Sequence, residues 1–264
     1  MQSLLENLGP GDVICEPFPH VALVAPLRSY IDYTDLAEHF PKVPLPKQIQ
    51  GNTAYRLSAA QWLKMSPMEH IEHGQWELVR KMNMGPMFIR DFVRVFGYWI
   101  EYYYGREFCK SLLTASVGTR GMQGSEKAAI HCDFQFVINT PATEEYTTVR
   151  DPHCDNPHEL FAGLWYFGGM HDIGNGGDLQ LHARADCAKD VTFHRSKWGK
   201  GSVSEDQLGG AKEVPYREDI FVMFLNTPHS IHSVTERVVC APIRKYVNII
   251  AEIEKPLFSL GNRT

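Results

Sequence analysis

No stretch of this chain approaches the ~18 consecutive apolar residues that a membrane-spanning helix needs, so no membrane partner is expected. The start, MQSLLENLGPGDVICEP, lacks the basic residues and apolar run of a secretory signal; the expectation is a cytoplasmic protein. Lys and Arg nowhere cluster and the formal net charge is −5, which argues against a nucleic-acid surface. The six cysteines (Cys15, Cys109, Cys132, Cys154, Cys187 and Cys240) contain no CxxC pair. They read as free thiols, since neither a disulfide framework nor a structural zinc site has the spacing it requires. Gly174-Asn-Gly-Gly177 lacks the GxxxxGK(S/T) pattern of a phosphate loop. Internal repeats, low-complexity tracts and linkers are also missing.

What is present is an ordinary globular balance of 44% apolar and 22% charged residues over 264 positions, enough for one large core. The expectation is a single domain over 1–264. Residues 1–125 read as a helical support region and 126–254 as a β core, with a polar, glycine-containing insertion at 184–216 of the kind that forms lids or binding loops. Ser58-Ala-Ala-Gln61 and Ser66-Pro-Met-Glu69 have capping-box spacing. A helix is predicted over 86–104, with Phe88, Phe92, Val95, Phe96, Trp99 and Tyr103 on one face, Arg90, Arg94 and Glu101 on the other, and Gly105 as its stop. That aromatic stripe reads as packing against the outside of a sheet. From about residue 127 the period becomes two, with alternation from Ala128 to Asn139. Ile130, Cys132, Phe134, Phe136 and Ile138 share one face, and His131, Asp133, Gln135 and Asn139 the other. Short strands follow at 161–167, 178–183, 220–225, 231–236 and 245–253, punctuated by Gly and Pro. Helices followed by many short strands predict a mainly β jelly roll with helices packed on one sheet.

The informative segment is Arg150-Asp-Pro-His153-Cys-Asp155-Asn-Pro157. On extended backbone, residues two apart point the same way, so His153 and Asp155 can converge on one ion. Pro228-His-Ser-Ile-His232 offers a third ligand, His232, at the start of a late strand. Two histidines and one carboxylate on one face of an octahedron form the facial triad of non-haem iron(II) oxygenases, leaving open positions for a 2-oxo acid and dioxygen. Arg244, twelve residues after His232, is a candidate bidentate partner for the co-substrate's distal carboxylate. His131-x-Asp133 is a rival pair, but it lies mid-strand. His229 competes with His232 from a poorer spacing and directly follows Pro228. His70, His73 and His171-Asp172 read as surface or capping residues. Trp198, in the insertion, is a candidate lid residue or a simple packing contact.

His153-x-Asp155, His232 and Arg244 in this order resemble the 2-oxoglutarate/iron(II)-dependent oxygenase superfamily, particularly its prolyl-4-hydroxylase-like branch. Pro17-Phe-Pro-His20, Asp35-Leu-Ala-Glu-His-Phe-Pro41, Asp133-Phe-Gln-Phe136, Leu164-Trp-Tyr-Phe167, Gly176-Gly-Asp-Leu179 and Arg244-Lys-Tyr-Val-Asn248 continue the likeness from Pro17 to about Ile253. The resemblance implies a double-stranded β-helix, Fe(II) as cofactor, 2-oxoglutarate and O2 as co-substrates, and oxidation of an unactivated C–H in a small-molecule substrate, an amino acid or natural product. A protein side chain as substrate, or a non-oxidative cupin-like metal protein, are the alternatives; the absence of an HxH pair speaks against the cupin. Tyr246 stands where many relatives have serine, so either its hydroxyl takes the serine's part or the co-substrate sits differently. Tyr166 is a further candidate for contact with co-substrate, with core packing as its ordinary alternative; Gln135 and Asn139, if their face points into the barrel, are candidates for contact with substrate or co-substrate, with structural hydrogen bonding as theirs. The metal aspartate is present, which argues against the halogenating relatives.

Overall fold

The computed structural model describes residues 3–27, 31–65, 75–145, 151–168, 176–185, 193–195, 201–239 and 242–260. The second capping box at Ser66, His70, His73, His171-Asp172 and Trp198 lie outside them. The described strands are β1 (His20–Val24), β2 (Ala54–Leu57), β3 (Val117–Thr119), β4 (Ile130–Asn139), β5 (His153–Cys154), β6 (Glu159–Tyr166) and β7 (Leu179–Arg184). They continue with β8 (His194–Arg195), β9 (Gly201–Ser202), β10 (Leu208–Val214), β11 (Ile220–Leu225), β12 (His232–Val234) and β13 (Arg244–Ile253). One sheet has the order β1-β11-β6-β13-β4-β2, with β3 paired parallel to β4; the other runs β10-β7-β12-β5-β9-β8. From β4 onward the chain passes repeatedly from one sheet to the other, with β6, β11 and β13 in the first and β5, β7, β10 and β12 in the second. That alternation, with antiparallel pairing, is the winding of a double-stranded β-helix, the jelly roll expected from the sequence.

The period-two reading of β4 matches the burial. Ile130, Cys132, Phe134, Phe136 and Ile138 enter the large core on the sheet's outer face, while Gln135 and Asn139 face a cavity between the sheets. Helices cover the outer face. They are α1 (Tyr33–Glu38), α2 (Ala59–Trp62), α3 (Trp76–Met82), α4 (Pro86–Tyr104) and α5 (Arg106–Thr114). Helix α4 has the predicted bounds, with Gly105 at φ 87 as its C-terminal stop. Its Phe88 and Phe92 pack on Phe161 of β6 at ring separations of 5.8 and 4.7 Å. The predicted capping box of α2 forms, with Ser58 and Gln61 each bonding the other's backbone N–H. Trp76 is fully buried, ringed by Phe40, Phe134, Phe136, Trp165 and Phe167, and its indole N–H donates to Leu36 O at 3.0 Å.

Two expectations need correction. The N-terminal region is not purely helical: β1 and β2 are edge strands of the large sheet. Both are short and next to polar loops, so neither makes a clear alternating run. The stretch 184–216 is not one loop, because β10 pairs with β7 and forms an edge of the second sheet. Its outward residues, Gly209, Gly210, Ala211, Lys212 and Glu213, are exposed, and an edge strand that buries so little reads like a loop. The described cysteines Cys15, Cys109, Cys132 and Cys154 are free thiols.

Candidate metal centre and its cavity

His153 and His232 are cross-strand partners in the β5–β12 pair, and both are buried. Asp155 follows two residues after His153, on the same side of the extended chain. Cys154, between them, points the other way, into a small apolar cluster with Val203 and Ile231. One ligand atom from each of His153, Asp155 and His232 lies within 4.8 Å of the others. Asp155 Oδ1 is 3.8 Å from His153 Nε2, and Asp155 Oδ2 is 3.5 Å from His232 Nε2. Both separations exceed the roughly 2.7–3.2 Å of a good hydrogen bond.

The histidine tautomers follow from their other ring nitrogen. His153 Nδ1 lies 2.6 Å from Asp151 O, and His232 Nδ1 lies 3.0 Å from Ser230 O. A carbonyl only accepts, so each Nδ1 carries a proton, and in the neutral imidazole each Nε2 then presents its lone pair. Two lone pairs and a carboxylate, all buried and facing one point, form a donor set that a divalent cation satisfies, and the hydrogen bonds behind the rings fix their orientation.

The loops that carry these residues are tied together. Buried Asn226, just after β11, donates through Nδ2 to Asn156 O and Glu159 O, both at 2.8 Å. Its own carbonyl accepts from the Tyr104 hydroxyl at the end of α4. Ser230 Oγ donates to Leu225 O at 2.6 Å and receives Thr227 N–H at 3.1 Å, which closes the turn leading into β12. Helix packing is thereby linked to the placement of both Asp155 and His232.

A cavity of about 380 Å³ opens from the three ligands between the sheets. It is lined by His153, Asp155 and His232 together with the further sequence candidates Arg244, Tyr246, Tyr166, Gln135 and Asn139. The pairing register orders its wall. Phe224, Ala162 and Ile250 are neighbours across β11, β6 and β13. Leu164, Asn248 and Gln135 form the next row, then Tyr166 and Tyr246, then Arg244 beside Asn139. The Phe224 ring packs 4.7 Å from the His232 ring, so the apolar end of the wall lies by the triad. Arg244 is buried, donates through Nη1 to Gly177 O at 2.9 Å and stacks 4.3 Å over the Tyr216 ring. Gly177 has φ +74, and a Cβ there would collide with Arg244 Nη1 and the Arg237 side chain. The glycine therefore gives the guanidinium its space. Burial pushes the Tyr166 hydroxyl well above the ordinary tyrosine range, so it stays protonated.

The rivals fall elsewhere. His131 Nε2 pairs with Ser125 O at 2.9 Å, and the Asp133 carboxylate accepts from Ala59 N–H and Gln135 Nε2. His229 packs 6.1 Å from the Tyr103 ring, outside the three-ligand cluster. Sequence reasoning did not single out Arg56, Arg120, Tyr216 or Asn248, which also line the cavity. Arg56, Arg120 and Tyr216 sit in segments whose spacing carries no motif, and Asn248 closes the Arg244-Lys-Tyr-Val-Asn248 segment without having been assigned a role. Among the described residues no helix is long and apolar enough to cross a membrane.

No protein-family model matches the sequence, and no curated protein matches it significantly. Among solved structures, the chain is similar to a candidate oxygenase from Shewanella oneidensis, at 10% identity and a TM-score of 0.49, covering 90% of this chain and 81% of that one. It is also similar to the epimerase SnoN, solved with Fe3+, alpha ketoglutarate and nogalamycin RO, at 10% identity and a TM-score of 0.45, covering 89% and 78%. A prolyl-4-hydroxylase from Pseudomonas putida matches at 12% identity and a TM-score of 0.41, covering 89% and 92%.

Proposed function

We propose that this chain is a non-haem iron(II) oxygenase that consumes 2-oxoglutarate and dioxygen and oxidises an unactivated C–H of a small molecule. The observation that carries the reading is the convergence of His153, Asp155 and His232 in a cavity whose other end holds the buried cation Arg244. Bound iron(II) would supply dioxygen activation coupled to decarboxylation of the 2-oxo acid, with overall stoichiometry R–H + 2-oxoglutarate + O2 → R–OH + succinate + CO2. His153 and His232 offer neutral Nε2 donors, Asp155 offers charge, and three protein ligands leave adjacent positions for co-substrates.

Arg244 suits a distal carboxylate in charge, in donor geometry and in place. Its partner Gly177 bonds to Thr235 O and Glu236 O, three and four residues beyond His232. At ~3.3 Å per residue that is about 10–13 Å. A five-carbon dicarboxylate, four C–C bonds of ~1.5 Å with a contact of ~2–3 Å at each end, fits the separation. Leu164, Tyr166 and Tyr246 line the path between the triad and Arg244, and the Tyr246 hydroxyl is the candidate for the serine contact that many relatives make.

We read the chain as one domain and its substrate as a free amino acid or small natural product, with hydroxylation the simplest outcome. The deciding experiment is anaerobic addition of Fe(II) and 2-oxoglutarate. A weak visible charge-transfer band at ~500 nm is expected from chelation at an open three-ligand site. Without that band the reading fails. Succinate formation in air, lost in His153→Ala, separates turnover from simple binding.

A further inference from the structure

The cavity wall carries two polar groups that the proposed chemistry leaves unused. Arg244 is engaged with Gly177 O and Tyr216, and Arg120 is ion-paired to Glu252 at 3.1 Å and lies 3.9 Å from Asp133. Arg56, on β2, also lines the cavity, at its exposed rim, and its side chain has no hydrogen bond or ion pair among the described residues. The second group is Asn139, 7% exposed. Its Nδ2 donates to Asn52 Oδ1 at 3.2 Å, and Asn52 Oδ1 also receives Arg237 Nη1 at 3.3 Å. A guanidinium only donates, so the Asn52 oxygen is fixed, and with it the orientation of the Asn139 amide. Asn139 Oδ1 is then a buried acceptor with no donor among the described residues, and it lines the cavity. Interiors rarely leave such an atom unsatisfied.

The two groups are neighbours. Arg56 pairs with Val137 and Ala54 pairs with Asn139, so Arg56 and Asn139 sit diagonally on one face of adjacent strands. Such positions have Cβ atoms ~7–8 Å apart or slightly less, within reach of a long side chain. Together they offer a cation and a lone-pair acceptor. 2-Oxoglutarate cannot satisfy both, because it carries no N–H or O–H donor when ionised, and its carboxylate would repel Asn139 Oδ1.

We infer that Arg56 and Asn139 form the head-group subsite for the oxidised substrate, and that this substrate is a small α-amino or α-hydroxy acid. Its carboxylate meets Arg56, and its ammonium or hydroxyl donates to Asn139 Oδ1. Strand β2 is three strands from β6, ~14 Å at ~4.8 Å per strand, and Arg56 lies in the row of Tyr246 and Tyr166, four residues or ~13 Å along the strands from Ala162, so the two backbones are about 20 Å apart and the long Arg56 side chain spans part of that distance. Ala162 of β6 pairs with Phe224, whose ring packs on His232, so β6 marks the triad end of the wall. The carbon that reacts therefore lies on the substrate's side chain rather than at its α position. The inference rests on the oxygenase reading.

The test uses the full chain loaded anaerobically with Fe(II) and 2-oxoglutarate. The probes are the proteinogenic L-amino acids and L-2-hydroxy acids of matching side chain, each paired with its primary carboxamide. Affinity is read from perturbation of the ~500 nm band and turnover from succinate release in air. At least one acid should perturb the band and stimulate succinate, and its carboxamide should bind at least tenfold more weakly. Arg56→Gln should weaken the acid at least tenfold, and Arg56→Lys should recover part of the loss because it keeps the charge. Asn139→Leu should weaken the same acid. The 2-oxoglutarate affinity measured in each variant reports whether the site has survived the substitution. The inference is overturned if the band forms but no acid perturbs it, if carboxamides bind as well as acids, or if Arg56→Gln leaves the acid's affinity unchanged. If the wild-type chain gives no band at all, the oxygenase reading has failed and this subsite assignment falls with it.

Discussion

Removing the buried guanidinium in Arg244→Met should weaken 2-oxoglutarate binding by at least a hundredfold. A bidentate grip on a carboxylate comprises two charge-assisted hydrogen bonds, each worth ~1.5–3 kcal/mol, or about 3–6 kcal/mol together. At ~1.4 kcal/mol per decade that corresponds to two to four decades in Kd. The lower end is the better expectation, because Arg244 also serves the protein. It donates to Gly177 O and covers Tyr216, and methionine can keep only part of that stacking. Leaving Gly177 O without its donor should also lower stability by ~1 kcal/mol or somewhat more, a fall of about 2–4 °C in Tm. Arg244→Lys keeps the charge without the planar fork and should lie between wild type and methionine, about tenfold down. Anaerobic titration of the Fe(II)-loaded protein with 2-oxoglutarate gives Kd, and thermal melting of the apoprotein gives the stability effect separately. A Kd within threefold of wild type in a folded Arg244→Met protein would refute the assignment and leave Arg56 and Arg120 as the other cations among the described residues that line the cavity.

Gly177→Ala should mimic the loss of Arg244 without touching it, since the added Cβ overlaps Nη1 at a positive φ; raised 2-oxoglutarate Kd with an intact metal site is the expected result. His153→Ala and Asp155→Ala should each reduce Fe(II) affinity by tenfold or more, measured by competition with a chelator. Trp76→Ala, which empties the centre of the aromatic core, should cost ~3–5 kcal/mol in denaturant unfolding. Stability should also fall with acidity. Burial holds the His20, His182 and His229 imidazoles below their ordinary 6.5. The unfolded chain therefore takes up their protons first, and stability is complete above pH 6.5 and lost as pH falls from there toward the lowered folded values. Each histidine contributes up to about 1.4 kcal/mol per pH unit in that window. Replacing His20 with Gln should flatten urea-unfolding midpoints measured between pH 7 and pH 5; an unchanged slope would remove His20 from this account.

Much of the architecture could be read from local pattern. The aromatic stripe of α4 and the alternation of β4 each follow from one period held for at least ten residues, long enough to dominate local noise. The bounds of β11 came through for the same reason, as an uninterrupted apolar run. β1 and β2 did not, because each is four or five residues long at a sheet edge. β10 did not either, because Gly209-Gly210 and an exposed outer face erase the alternation. The choice of His232 over His229 rested on its spacing to Arg244, and the fold places His232 opposite His153 while His229 packs by Tyr103.

The sequence by itself determined the order of chemistry along the chain: an imidazole and a carboxylate two residues apart, a later histidine, then an arginine. Extended backbone makes the first pair converge, and that depends only on the alternation of side chains in a strand. Only the tertiary structure decided which groups share a cavity, because strand pairing joins residues up to about two hundred positions apart, as it does His20 and Phe224. It set Asn226 as the tie between the loops of Asp155 and His232, gave Arg244 its space against Gly177, and brought Arg56 beside Asn139. Those contacts arise from the register between strands, which the global burial of both sheets fixes and no short segment encodes.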